Sequence, residues 1–139
     1  MLPPNIERFV SRNHNAVLTT FRRNGAAQMS IVTAGPFREG VAFTTTADRA
    51  KHRNLRRDSR CSLMVASDRW SSYIVLEGHA EVMSSGATDS EELRLALRDV
   101  YRSAADKEHP DWEEYDQAMV DERRSVVLVL PGHTYGTAI

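Results

Sequence analysis

AVLTTFRRNGAAQMSIVTA, residues 16–34, is the stretch on which the fold turns. Residues 16–22 are rich in β-branched and aromatic side chains, and residues 28–34 repeat that character. Between them stands Asn24-Gly25, a dipeptide suited to the left-handed conformations of a tight hairpin turn. The stretch therefore predicts two antiparallel strands. Gly35-Pro36 breaks the second, and Glu39-Gly40 marks a further turn before a strand over 41–46. Three consecutive antiparallel strands result. Before them, Ile6, Phe9 and Val10 recur at the spacing of a short helix.

Past the third strand, Asp48 is the expected N-cap of a helix over 49–58. Strands are expected over 60–67 and 72–84, with Gly78 as a bulge or bend in the second. Ser85-Gly86 ends it, and two helices follow. Leu93, Leu97, Val100 and Ala104 share a face of the first; Trp112, Tyr115 and Met119 share a face of the second. Asp111, with Glu114 three residues on, has the spacing of a capping box. A last apolar strand over 125–130 is broken by Pro131-Gly132, and a tail holding His133 and Tyr135 follows. Six strands in a mostly meandering order, interrupted by helices, predict a mainly β fold, a small antiparallel β-barrel with α-helices. The 139 residues fit a single domain, 1–139.

Composition narrows the function classes. Hydrophobic residues make up 41%, enough for a core, and no run approaches the roughly 20 apolar residues of a membrane-spanning helix. No basic segment followed by an apolar run opens the chain, so a cytoplasmic location is the default expectation. A net charge of −1 steers the protein toward no particular partner. The one cysteine, Cys61, excludes an internal disulfide and reads as a small core residue. The five histidines, His14, His52, His79, His109 and His133, show no metal-ligand spacing, so no metal is expected. There is no nucleophile elbow to suggest a hydrolase.

Charge is nevertheless unevenly placed. Six of the 18 Lys and Arg residues fall between Arg49 and Arg60, directly after Thr44-Thr45-Thr46. Hydroxyls, helix N-terminal amides and cations together suit a phosphate. Lys51 offers a point charge and the arginines a two-pronged fork. A solvated helix face is the plainer reading of the same residues. Nucleic acid is disfavoured, because the stretch lacks aromatic residues and the chain is not basic.

Several segments together resemble the split barrels related to pyridoxamine-phosphate oxidase, and within them the branch that uses the deazaflavin coenzyme F420. They are Val17-Leu18-Thr19-Thr20 before Asn24-Gly25, and Gln28-Met29-Ser30. Next come Asp48-Arg49-Ala50-Lys51-His52-Arg53-Asn54-Leu55-Arg56-Arg57-Asp58-Ser59-Arg60, then Trp70-Ser71 and Glu77-Gly78-His79-Ala80. Last are Asp111-Trp112, Tyr115, Gln117-Ala118-Met119-Val120 and His133-Thr134-Tyr135-Gly136.

The resemblance implies a six-stranded antiparallel split β-barrel of the FMN-binding type. It implies a homodimer with cofactor sites in the interface, and an oxidoreductase that passes a hydride from reduced F420 to an electron-poor double bond of a small substrate. FMN in the same site is the alternative, and a non-catalytic flavin- or haem-binding protein a further one. The ring is expected against Gln28, Ser30 and Val32, and the phosphate at Thr45, Thr46 and Lys51. Arg49, Arg53, Asn54, Arg56 and Arg57 stand near the phosphate or a glutamate tail, and Trp70 is a candidate to cover the ring. Tyr73, Tyr135 and His133 are candidate proton donors, and His52 and His133 the histidines best placed for cofactor contact. Two departures stand out. Pyridoxamine-phosphate oxidases carry an arginine directly before the phosphate-binding lysine, where this chain has Ala50. Their C-terminal substrate arginines have no clear counterpart, so pyridoxamine phosphate is not the expected substrate.

Overall fold

The hairpin forms as read: β1 (Asn15–Phe21) pairs antiparallel with β2 (Ala27–Thr33). Asn24 Oδ1 accepts from the Ala26 amide at 3.0 Å, and Gly25 takes a positive φ of 87°. The computed structural model describes residues 2–139. The remaining elements are α1 (Pro4–Arg12), β3 (Gly35–Phe37), β4 (Gly40–Thr46), α2 (Ala50–Arg57), β5 (Arg60–Ala66), β6 (Tyr73–Met83), α3 (Ser90–Ala105), α4 (Trp112–Asp121) and β7 (Arg124–Tyr135).

One antiparallel sheet runs in the order β2-β1-β5-β6-β7-β4-β3. It corrects two expectations. The strands number seven, not six: Gly35-Pro36, read as a break, forms the short strand β3 at the sheet's edge. Proline is tolerated there because an edge strand leaves its N–H side unpaired. Gly35 is required as well, since a Cβ would come within 2.4 Å of Ser103 Oγ on α3. The third long strand, β4, does not lie beside the hairpin either. It crosses to the far end of the sheet and pairs with β7.

The sheet curls around the alternate residues of its strands. Leu18, Val32, Phe43, Leu63, Leu76 and Val127, from six strands, meet in one buried cluster. Leu55 of α2 joins that cluster, as do Ile6 and Val10 of α1. Cys61 sits there too, its thiol pushed up to about 11 by burial, so it is an unreactive core residue. This is the split-barrel architecture. A second cluster forms where α3 and α4 cover the outside of β4 and β7: Ala42, Val126 and Leu128 meet Leu93, Leu97 and Tyr115. The helix faces are those expected from spacing. Asp89 and Asp111 cap α3 and α4 by accepting from the Glu92 and Glu114 amides, each at 3.1 Å.

β7 is longer than the strand expected over 125–130 and passes through Pro131-Gly132. The pairing with β6 slips between Glu77 and Gly78: Glu77 stands opposite His133, but Gly78 opposite Pro131. Gly132 is the extra residue of a bulge. A Cβ on Gly78 would meet Leu130 O at 2.0 Å, which explains the glycine.

The other outer half of the sheet, on β2, β1, β5 and β6, has a different character. The registers align Ile31, Val17, Met64, Val75 and Tyr135 in one row across five strands. Ile31 is 81% and Met29 69% exposed at its edge. Val75 within the row is buried, while Met29 and Ile31 leave apolar surface open on β2.

Candidate functional site

The basic helix α2 begins without the expected cap. Arg49, not Asp48, is its N-cap residue, and no side chain caps the helix. Asp48 instead accepts from the Thr46 hydroxyl at 2.6 Å, and its carbonyl accepts from Arg53 Nη1 at 2.6 Å. A carboxylate one residue ahead of the cap is better used closing the strand-to-helix turn. The first amides of α2 therefore carry no side-chain cap.

Strand alternation divides the three threonines. Thr45 points into the barrel and is 3% exposed, whereas Thr44 and Thr46 stand on the outer face. There they meet Arg124, the register partner of Thr46, whose Nη1 donates to Thr44 Oγ1 at 3.3 Å. Lys51, half-buried, lies in the field of Arg49 and Arg124. Its ammonium is pushed below its ordinary value first by burial and then by those two cations. Neither Lys51 nor Arg49 has a carboxylate within salt-bridge distance among the described residues, and the nearby carboxylate Asp48 is held by Thr46. Cations of like charge brought together this way suit an anion.

Further along α2 the side chains tie the helix to the barrel. Asn54, buried, donates to Thr20 Oγ1 at 3.1 Å and to Gln28 Oε1 at 2.9 Å. Arg57 donates to Asn54 Oδ1 at 3.2 Å and to the Phe21 carbonyl at 2.5 Å. Arg60 pairs with Asp58, whose carboxyl it holds down at about 2. Arg53, Arg57 and Arg60 are thus engaged by the protein itself, and Arg56 is exposed. Gln28 and Ser30 stand half-buried on the inner side of β2, Gln28 linked to α2 through Asn54, while Val32 is part of the core.

The aromatic candidates lie elsewhere. Trp70 is 62% exposed in the turn between β5 and β6, with a positive φ of 60°. His133 and Tyr135 face outward with ring centroids 5.9 Å apart, and Tyr73 is half-buried on the same face. They adjoin the apolar row rather than α2. The structure brings Thr46, Arg49 and Lys51 together and links Gln28 to Asn54. It sets Trp70, Tyr73, His133 and Tyr135 apart from both. Thr44 and Arg124 were not among the residues expected. The period of two that separates Thr44 and Thr46 from Thr45 was a readable signal, and Arg124 stands one residue ahead of the strand expected over 125–130.

His52 is not on the surface. It is 1% exposed beneath α2, with Nε2 2.9 Å from Ser125 Oγ and Nδ1 without a partner. Burial, then the charge of Arg56, pushes its value below the ordinary 6.5. The unfolded chain therefore takes up this proton first as pH falls. The contribution is fully present above about pH 6.5 and is lost as pH drops through the folded-state value. Thermal melts at pH 5 and pH 7.5 are expected to differ more for wild type than for His52→Gln; an equal difference removes His52 as the cause.

Two clefts flank Arg124. One, about 440 Å³, is walled by Thr44, Tyr101, His109 and Tyr115; the other, about 300 Å³, by Arg94, Leu97, Met119 and Arg123. Among the described residues no group of His, Cys, Asp or Glu could hold a metal, and no helix is long and apolar enough to cross a membrane.

The fold is shared with known proteins. Residues 2–137 match the family model described as pyridoxamine 5'-phosphate oxidase. A conserved hypothetical protein of Mycobacterium tuberculosis superposes with a TM-score of 0.79 at 20% identity, over 98% of this chain and 84% of that one. A protein described as an F420 reductase does so with a TM-score of 0.65 at 20% identity, over 96% and 98%. A putative pyridoxamine 5'-phosphate oxidase of Listeria innocua follows at 0.64 and 10% identity, over 96% of each chain. At these identities the likeness is one of fold.

Proposed function

Because the chain belongs to the pyridoxamine 5'-phosphate oxidase family, we propose that it is a homodimeric oxidoreductase holding the phosphorylated deazaflavin F420 between its subunits. The observation that carries this reading is the convergence of Arg49, Lys51 and Arg124 at the start of α2, with uncapped helix amides beside them. A phosphate fits that donor set: it supplies the missing counter-charge and accepts from both amides and cations. Lys51 and the first turn of α2 would hold it. Gln28, whose Oε1 is taken by Asn54, keeps its amide N–H groups for the ring edge. When bound, the reduced cofactor supplies a hydride for an electron-poor double bond of a small substrate. The protein binds, orients and excludes water.

The choice of F420 over FMN draws support from the resemblance and from the similarity to an F420 reductase. The number of arginines does not add to it, since Arg53, Arg57 and Arg60 are already engaged. Fluorescence titration with F420 and, separately, with FMN tests the reading. Tight binding of F420 alone supports it, a preference for FMN moves the protein to the flavin branch, and binding of neither removes the cofactor reading.

The dimer would use the apolar row, bringing Trp70 or Tyr135 of a second copy toward the ring. A charge placed within an apolar contact lacks a partner and is costly to desolvate. Ile31→Glu is therefore expected to sediment as a monomer with its far-UV spectrum unchanged. A variant that stays dimeric would place the interface elsewhere.

A further inference from the structure

Of the cations in the first turn of α2, Arg53 donates to the Asp48 carbonyl, which leaves Lys51. The phosphate of FMN is a monoester with roughly −1.5 to −2 charges near neutral pH; that of F420 is a diester with one charge, followed by the carboxylates of its glutamate tail, so in either case Lys51 alone does not meet the anionic oxygens present. Arg49 is exposed, and no hydrogen bond or ion pair fixes its side chain among the described residues.

Arg124 is differently placed. It comes from another part of the chain, at the first position of β7, and is half-buried. Its guanidinium is fixed at two points: Nε donates to Glu122 Oε1 at 3.0 Å, and Nη1 donates to Thr44 Oγ1 at 3.3 Å. Nη2 has no partner among the described residues, so the free edge of the fork is held in one orientation rather than sampling many. The register opposite Thr46 sets Arg124 at the strand end from which the chain turns into α2, and its Nη1 reaches along β4 to Thr44. Glu122 orients Arg124 but leaves Lys51 and Arg49 uncompensated.

We propose that Arg124 is a second phosphate ligand, reaching from β7 the same group that Lys51 holds from α2, with Thr44 and Glu122 as its positioning residues. This rests on the cofactor reading above and assigns a residue to it. The site is then built from two segments more than 70 residues apart in sequence, Lys51 and Arg124, and the charge that Ala50 does not supply comes from the neighbouring strand. A planar fork suits two oxygens of one phosphate better than a further lysine would.

Paired ligands that differ only in the phosphate provide the test. These are FMN against riboflavin, and F420 against its phosphate-free deazaflavin-ribityl chromophore. For Arg124→Gln, fluorescence titration is expected to show about a tenfold or greater loss for the phosphorylated member and less than a twofold change for the other. Arg124→Lys, which keeps the charge without the fork, is expected to fall between Arg124→Gln and wild type. Equal losses for both members would make Arg124 a structural residue and overturn the proposal, as would no loss for either. A phosphate-specific loss in Lys51→Ala but not in Arg124→Gln overturns this assignment alone. Failure of wild type to bind any of the four ligands overturns the cofactor reading and this assignment with it.

Discussion

Lys51→Ala is expected to bind the phosphorylated cofactor about 1.5–3 kcal/mol more weakly, a loss of roughly ten- to a hundredfold. The ammonium is half-buried and pushed below its ordinary value by burial and by two neighbouring cations. Without an anion, those effects work against Lys51; with one, they become attraction. The same substitution is therefore expected to leave the thermal midpoint of the cofactor-free protein unchanged or slightly higher, while the rise in midpoint on adding cofactor shrinks. Melting curves with and without saturating cofactor measure both. A matching drop in the two curves would instead describe Lys51 as an ordinary stabilising residue, and unchanged affinity would put the phosphate elsewhere.

A larger loss, of stability rather than affinity, is expected from Phe43→Ala: about 3–5 kcal/mol. Phe43 sits inside the barrel on β4 and is 1% exposed. Truncation leaves a cavity between Val41, Val127 and the opposite wall, and strands fixed by ladders on both sides of β4 close it poorly. For a chain of this size the midpoint should fall on the order of 10 °C. A fall of only a few degrees would mean that the barrel interior relaxes around the gap.

Much of this molecule can be read from local pattern. The hairpin at Asn24-Gly25, the apolar faces of α3 and α4 and the cap at Asp111 all rest on a few adjacent residues, and each is found where expected; the bulge expected at Gly78 has its extra residue across the ladder, at Gly132 of β7. What escapes reading depends on distant segments. Nothing near residue 41 says that β4 will pair with β7 rather than β2, because that choice is made some 85 residues later in sequence by residues 124–129. Gly35-Pro36 looks like a terminator until the edge position of β3 is known. The site shows the same division. Lys51 and Asn54 announce themselves in the basic run. That Asn54 spends its amide on Thr20 and Gln28, and that Arg57 binds the Phe21 carbonyl, follows only from the packing of α2 on β1. Arg124 is one arginine among many in the sequence and becomes particular through its register with Thr46.

Before the bulge, residues 125, 127 and 129 of β7 face inward; after it, His133 and Tyr135 face outward, opposite Glu77 and Val75. In an unbroken strand these odd-numbered positions would all share one side. Gly132 is the one extra residue between Pro131 and His133, and the bulge absorbs it. Deleting it should restore plain alternation with His133 next to Pro131, so His133 and Tyr135 stay outward, opposite Glu77 and Val75. For this tail the bulge works as a register buffer: a chain could gain or lose this one residue and still display the same aromatic pair, so what the tail shows is set by which residues it carries.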